Sequence, residues 1–187
     1  SFNLATYNQG NSASYFNGQE PMQFYVQQVL SVIEKIGYVR NWPEGLTDFA
    51  PKDQAAISVA EIVDSSLSYK VIEYNHHSMK GDIERKKTIL LSLADRLEPQ
   101  RDKLKKINSS LETDLSFLLN SVNLRHNNSD PNGKKYIPTV SSMENSELEQ
   151  WYDDTYQMCL LAFLELDHIE RKSRINDLKK DIESKKQ

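Results

Sequence analysis

The stretch Ile83–Val122, IERKKTILLSLADRLEPQRDKLKKINSSLETDLSFLLNSV, decides how this chain is read. Within it Ile83, Leu90, Leu97, Leu104, Leu111 and Leu118 recur at an unbroken spacing of seven residues. Seven residues is close to two helical turns, so these side chains fall along one stripe. A stripe of that length predicts a helix–helix seam, a coiled coil. Its companion stripe is less regular. Met79, Leu93 and Ile107 sit at companion positions, Lys86, Gln100 and Asp114 interrupt them, and Leu115 and Val122 then take over one residue later. Such a shift predicts a seam that drifts around the helix.

Two residues oppose a straight helix. Gly81 costs about 1 kcal/mol relative to Ala. Pro99 removes a hydrogen bond and crowds the preceding turn, at about 3 kcal/mol. The ladder keeps its register through Pro99, which predicts a kink. The alternative is a hairpin that packs Ile83–Leu97 against Leu104–Val122.

Toward the N-terminus, a first helix is predicted from near Pro21. Phe24, Tyr25, Val29, Val32, Ile33 and Ile36 recur at three- and four-residue steps, and Gly37 supplies a left-handed stop. A helix this apolar is expected to be covered in a packed head. Gly37–Pro51 reads as a loop carrying Trp42 and Phe49. These rings are expected to plug the core, or else to anchor a partner. A second helix is predicted from Pro51–Asp53. Ile62, Tyr69 and His76 precede Ile83 at the ladder's own spacing, which predicts one continuous helix from head to stalk.

The expected organisation is all-α. A flexible tail occupies 1–20, a small helical head 21–76, a long coiled coil 77–124, a polar linker 125–145 and a separate C-terminal helix 146–187. The last helix opens on a capping-box sequence, Ser146-Glu147-Leu148-Glu149. Its end carries a second seam through Ile175, Leu178 and Ile182.

Composition agrees with long one-sided helices. Hydrophobic residues make up 38% of the chain, against about 45–50% in an average globular domain. Net charge is −4 overall, as −4 over 1–78, +2 over 79–124 and −2 over 125–187. No segment has the basic excess of a nucleic-acid binder. No apolar run approaches the roughly 20 residues of a membrane span. Cys159 is alone, which fits a reducing intracellular compartment; amid apolar neighbours it is expected to be a buried thiol. His76 and His77 are adjacent, so on a helix they diverge and cannot share a metal. There is no Gly-rich phosphate loop, paired-cysteine motif or nucleophile elbow. The chain is therefore expected to be no enzyme, with no cofactor and no metal.

The segments Glu34–Glu44 (EKIGYVRNWPE), Ala56–Met79 (AISVAEIVDSSLSYKVIEYNHHSM) and Glu144–Ile182 together resemble the N-terminal region of the afadin- and α-actinin-binding protein family, which includes the fungal mitotic spindle-anchoring proteins. Ile36-Gly37-Tyr38 stands where that family carries its Leu-Gly-Phe-type turn. The resemblance implies a scaffold at a spindle pole or centrosome, within the cytoplasmic cytoskeleton. There it would work with a WD-repeat partner and anchor microtubule minus ends. A second reading is a subunit of a heteromeric kinetochore or tethering complex, since an interrupted seam favours a different partner chain. Homo- or hetero-oligomerisation through the coil is expected, without nucleic acid or membrane.

Overall fold

Several helix starts along this chain are set by short polar side chains. Asp53 Oδ1 accepts the amides of Ala55 and Ala56 at 2.9 and 3.1 Å. Asp64 takes that of Leu67 at 3.2 Å, Asp82 that of Arg85 at 3.0 Å and Asn108 that of Leu111 at 3.0 Å. Each satisfies a first-turn amide that the helix itself leaves without a partner. The computed structural model describes residues 20–41 and 48–185. The fold is all-α apart from one two-stranded ladder. Residues 1–19, where a flexible tail is expected, and Trp42 lie outside the described residues. The chain divides after Val39 into two units.

The first unit carries α1, Glu20–Lys35. Gly37 ends it with φ +89°, donating its amide to Glu34 O, as the left-handed stop requires. Among the described residues the cover expected for its apolar face is not found: Phe24, Tyr25, Val32 and Ile36 are each more than half exposed. Two short strands, β1 (Tyr38–Asn41) and β2 (Asp48–Pro51), pair at the two ends of the segment expected to be a loop.

The second unit is a helical bundle. The helix expected to run unbroken from head to stalk is three: α2 (Gln54–Ile62), α3 (Ser65–Tyr74) and α4 (Ile83–Leu97). A 3-10 turn at His77–Met79 lies between the last two. The caps explain the breaks. Asp64 and Asp82 offer nearby amides an acceptor that competes with a continuing helix, and Gly81 sits at φ +81°.

Pro99 lies in the first turn of a 3-10 segment, Glu98–Gln100, where a missing amide costs little. The flanking residues Leu97, Glu98 and Arg101 stay right-handed helical. The reversal comes nine residues later. Between α5 (Arg101–Ile107) and α6 (Ser109–Ser121), Asn108 adopts φ −140°, ψ 81°. α6 then runs back along α5. The expected extended coiled coil over 77–124 is therefore corrected to consecutive short helices folded on themselves.

The ladder becomes the bundle's interior. Leu90, Leu97, Leu104, Leu111 and Leu118 are all buried, and Ile83 is half-buried. They pack with Tyr152, Tyr156, Cys159, Leu160 and Phe163 on α8, Asn145–Ser184. Antiparallel helices in a bundle interlock through the same three- and four-residue ridges as a coiled coil, so spacing alone does not separate the two. The traced-back positions Ile62, Tyr69 and His76 are not core; Ala56, Val59, Leu67 and Val71 are.

The last helix is not separate. Its 40 residues span about 60 Å at 1.5 Å each, and the first half is the axis on which α2, α4, α5 and α6 pack. Its capping box is not formed. Glu144 is the cap, without a side-chain bond, because Glu149 is drawn instead to Lys86 and to the Gly81 amide. The expected linker is also structured. Asn128, 1% exposed, donates to Lys135 O at 2.8 Å and accepts the Asn123 amide at 2.9 Å. Asn123 itself stands at φ 61°, a left-handed conformation that Asn tolerates better than most residues. A one-turn helix, α7 (Pro138–Ser141), follows and buries Val140.

Candidate functional site

Lys86 lies one turn into α4 on the bundle-facing side, where the cap at Asp82 has fixed the start of the helix. Its side chain is 6% exposed. The ammonium meets Glu149 Oε1 at 2.8 Å and Asp153 Oδ1 at 2.6 Å, one helical turn apart on α8. It also lies 5.2 Å from the centroid of the Tyr74 ring, within cation–π range. Tyr74, the last residue of α3, donates its hydroxyl to Asp153 at 3.0 Å. Its ring stacks on Tyr156 with centroids 4.0 Å apart and planes 7° from parallel. Tyr156 donates to Val71 O at 2.7 Å and accepts from Asn75 Nδ2 at 3.2 Å. A cleft opens beside this cluster, with His76, His77 and Lys80 on its wall.

The electrostatics set each group's role. Burial, and then the charge of Asp153, push the Tyr74 phenol far above its ordinary value. Burial does the same to Tyr156. Both hydroxyls are therefore fixed as donors. The Gly81 amide first, then Lys86, hold Glu149 below the usual carboxylate range. Ammonium, carboxylates and phenols each face a neighbour within the chain. What this arrangement does is clamp the end of α3 and the start of α4 to α8.

The second feature is apolar. Beyond Ile169, α8 is exposed on every side. There Ile175 is 48%, Leu178 59% and Ile182 48% exposed, at alternating three- and four-residue steps. Two turns of seam thus project from a helix whose other half is held in the core. Leu161, 46% exposed, stands on the same stripe two heptads earlier.

The predicted interface residues divide accordingly. The ladder from Ile83 to Leu118 is spent within the chain. Ile175, Leu178 and Ile182 stand free of it. Phe49 is half-buried in β2. Lys86 was visible in the sequence as an interruption of the companion stripe; that interruption was its signal.

Among the described residues, no group of three or more His, Cys, Asp or Glu side chains is placed to hold a metal ion. No helix among them is long and apolar enough to cross a membrane. No family model, curated protein or solved structure matches the chain.

Proposed function

We propose that this chain is a non-enzymatic protein-interaction module: a clamped helical bundle that holds out the distal half of α8 for a partner helix. One observation carries the reading. Ile175, Leu178 and Ile182 lie about half exposed on one stripe, while the same helix buries Tyr152, Tyr156, Cys159 and Ala162 at its other end. Full burial of an exposed aliphatic side chain is worth about 1.5–3 kcal/mol, and these three, about half exposed, leave roughly half of that for a second helix to recover. α1, with Phe24 and Tyr25 exposed, supplies a further apolar helix of the same character.

The family resemblance adds spindle-pole or centrosomal anchoring with a WD-repeat partner; that part of the proposal rests on the resemblance alone. The interior position of the ladder weighs against oligomerisation through it and moves any pairing to distal α8.

The test is crosslinking mass spectrometry on the tagged chain, set beside Ile175→Asp/Leu178→Asp. Crosslinks from Lys172, Lys179 and Lys180 to a partner helix, or to a second copy, are expected and should vanish in the variant. A distal helix that makes no such crosslinks, or makes the same ones in the variant, overturns the proposal.

A further inference from the structure

The segment after α6 builds a second kind of surface. Ser121, His126, Lys134, Lys135, Tyr136 and Ile137 line a cleft of about 580 Å³. No acidic side chain lines it. Clefts elsewhere on the chain carry carboxylates: Glu98 and Glu112 near Arg101, Asp167 and Glu170 near Phe163, Glu149 and Asp153 near Lys86. The acid of this loop, Asp130, is not part of the lining; its Oδ1 accepts the Asn132 amide at 2.9 Å.

The cationic and hydroxyl groups here are also unspent. Arg85, Lys86, Arg101 and Arg125 all meet carboxylates within the chain. Among the described residues, the side chains of Ser121, His126, Lys134, Lys135 and Tyr136 take no hydrogen bond or ion pair. Their backbone is nonetheless fixed. The buried Asn128 grips Lys135 O with its amide, and its own carbonyl takes the Ile137 amide at 2.9 Å. The Lys134–Ile137 segment is thereby held against the end of α6. Donors without partners of their own, carried on a backbone that is held in place, are what this cleft offers an anion.

We propose that this cleft binds a phosphorylated serine or threonine side chain of a partner protein. A phosphoryl group near −2 in charge offers acceptor oxygens to two ammoniums, an imidazole and hydroxyls. Tyr136 and Ile137 supply apolar contact for the adjoining peptide residues. A nucleic acid would call for a longer run of basic contacts than two lysines on a chain of net charge −4. The site is independent of the distal α8 stripe, and either can fail alone.

The experiment is a titration of the intact, ¹⁵N-labelled chain followed by amide shifts. The probes are an Ala-Ala-phosphoSer-Ala-Ala peptide, its unphosphorylated form, inorganic phosphate and a ten-nucleotide single-stranded DNA. Saturating shifts at Ser121, His126 and 134–137 are expected with the phosphopeptide and not with its unphosphorylated form. Inorganic phosphate and the DNA should each bind at least about tenfold more weakly. Lys134→Ala/Lys135→Ala, both at exposed positions, should keep the wild-type melt and weaken the phosphopeptide by about tenfold or more. No saturation at millimolar peptide overturns the proposal. So does equal affinity for the free ion, tighter binding of the DNA, or unchanged binding by the double variant.

Discussion

Arg101 and Glu112 meet at 2.6 Å across the turn at Asn108, with the Glu112 side chain only 6% exposed. The same guanidinium reaches Ser116 Oγ at 3.1 Å. On one straight helix, residues 101 and 116 would stand about 22 Å apart. The contact therefore requires the heptad ladder to fold back between Leu104 and Leu111. The pairing also raises the Arg101 pKa, chiefly through its bond to Glu112.

This relocates the effect of ladder substitutions. Leu104 and Leu111 are 2% and 6% exposed inside one chain. Leu104→Ala should cost about 2–5 kcal/mol of unfolding free energy. Leu104→Asp/Leu111→Asp, which buries two charges without partners, should abolish the cooperative melt. Circular dichroism during thermal unfolding reads both. A double variant that melts like wild type and differs only in solution mass would restore the extended coil.

How much of this was legible can be argued from single residues. Gly37 announced the end of α1, and the structure gives it the positive φ that the stop demands. The ladder correctly marked which leucines are buried, because one-sided burial writes the same period in a bundle as in a coiled coil. What it could not mark was the length of each helix. That lay in Asp64, Asp82 and Asn108, whose side chains cap a new helix only if the chain bends there. Asn108 lies inside an unbroken leucine register, so the spacing gives no sign of the bend it makes. The polar run 125–145 read as linker because composition does not reveal that Asn128 turns inward. Lys86 broke the companion stripe, and the two α8 carboxylates that explain it lie more than sixty residues away in sequence.

The clamp gives a second prediction. Lys86→Ala leaves Glu149 and Asp153 facing each other without their cation. Asp153 is about half exposed, so solvent screens part of the loss. The expected cost is about 2–3 kcal/mol. Lys105→Ala, at an exposed site on α5, should stay within about 0.5 kcal/mol of wild type. Urea unfolding of the two variants side by side checks this. Equal midpoints would mean that the contacts around Lys86 hold nothing together.

Acid sensitivity follows from Glu149 and Glu98. Both native carboxyls are held below their ordinary value: Glu149 by the Gly81 amide and then Lys86, Glu98 by Arg125. A depressed native pKa means that the unfolded chain binds more protons in acid. The contribution is complete above the unfolded pKa, about 4.3, and is lost as pH falls through the lower native value. Stability should thus be level in this respect above about pH 5 and fall below it. Glu149 carries more of the slope, because Glu98 is about half exposed and its pairing is screened. Urea midpoints from pH 3 to 6 should show a shallower acid slope for Glu149→Gln; parallel slopes would remove Glu149 from the account.

Cys159 offers a direct probe of the bundle's integrity. It is fully buried between the aromatic residues of α8 and the helices packed on them, and burial pushes its thiol up to about 12. Only the thiolate attacks a disulfide reagent. At pH 8 the native thiol is thus both shielded and protonated, whereas an unfolded cysteine near pKa 8.5 reacts readily. Labelling by an aromatic disulfide should be negligible in buffer and reach one thiol per chain in denaturant. Because reaction then requires opening of the bundle, its rate reports the free energy of that opening. Lys86→Ala should raise this rate by about thirtyfold or more if the clamp contributes about 2 kcal/mol to closure. Fast labelling of the native wild-type chain would mean that α8 does not form the axis of a closed core.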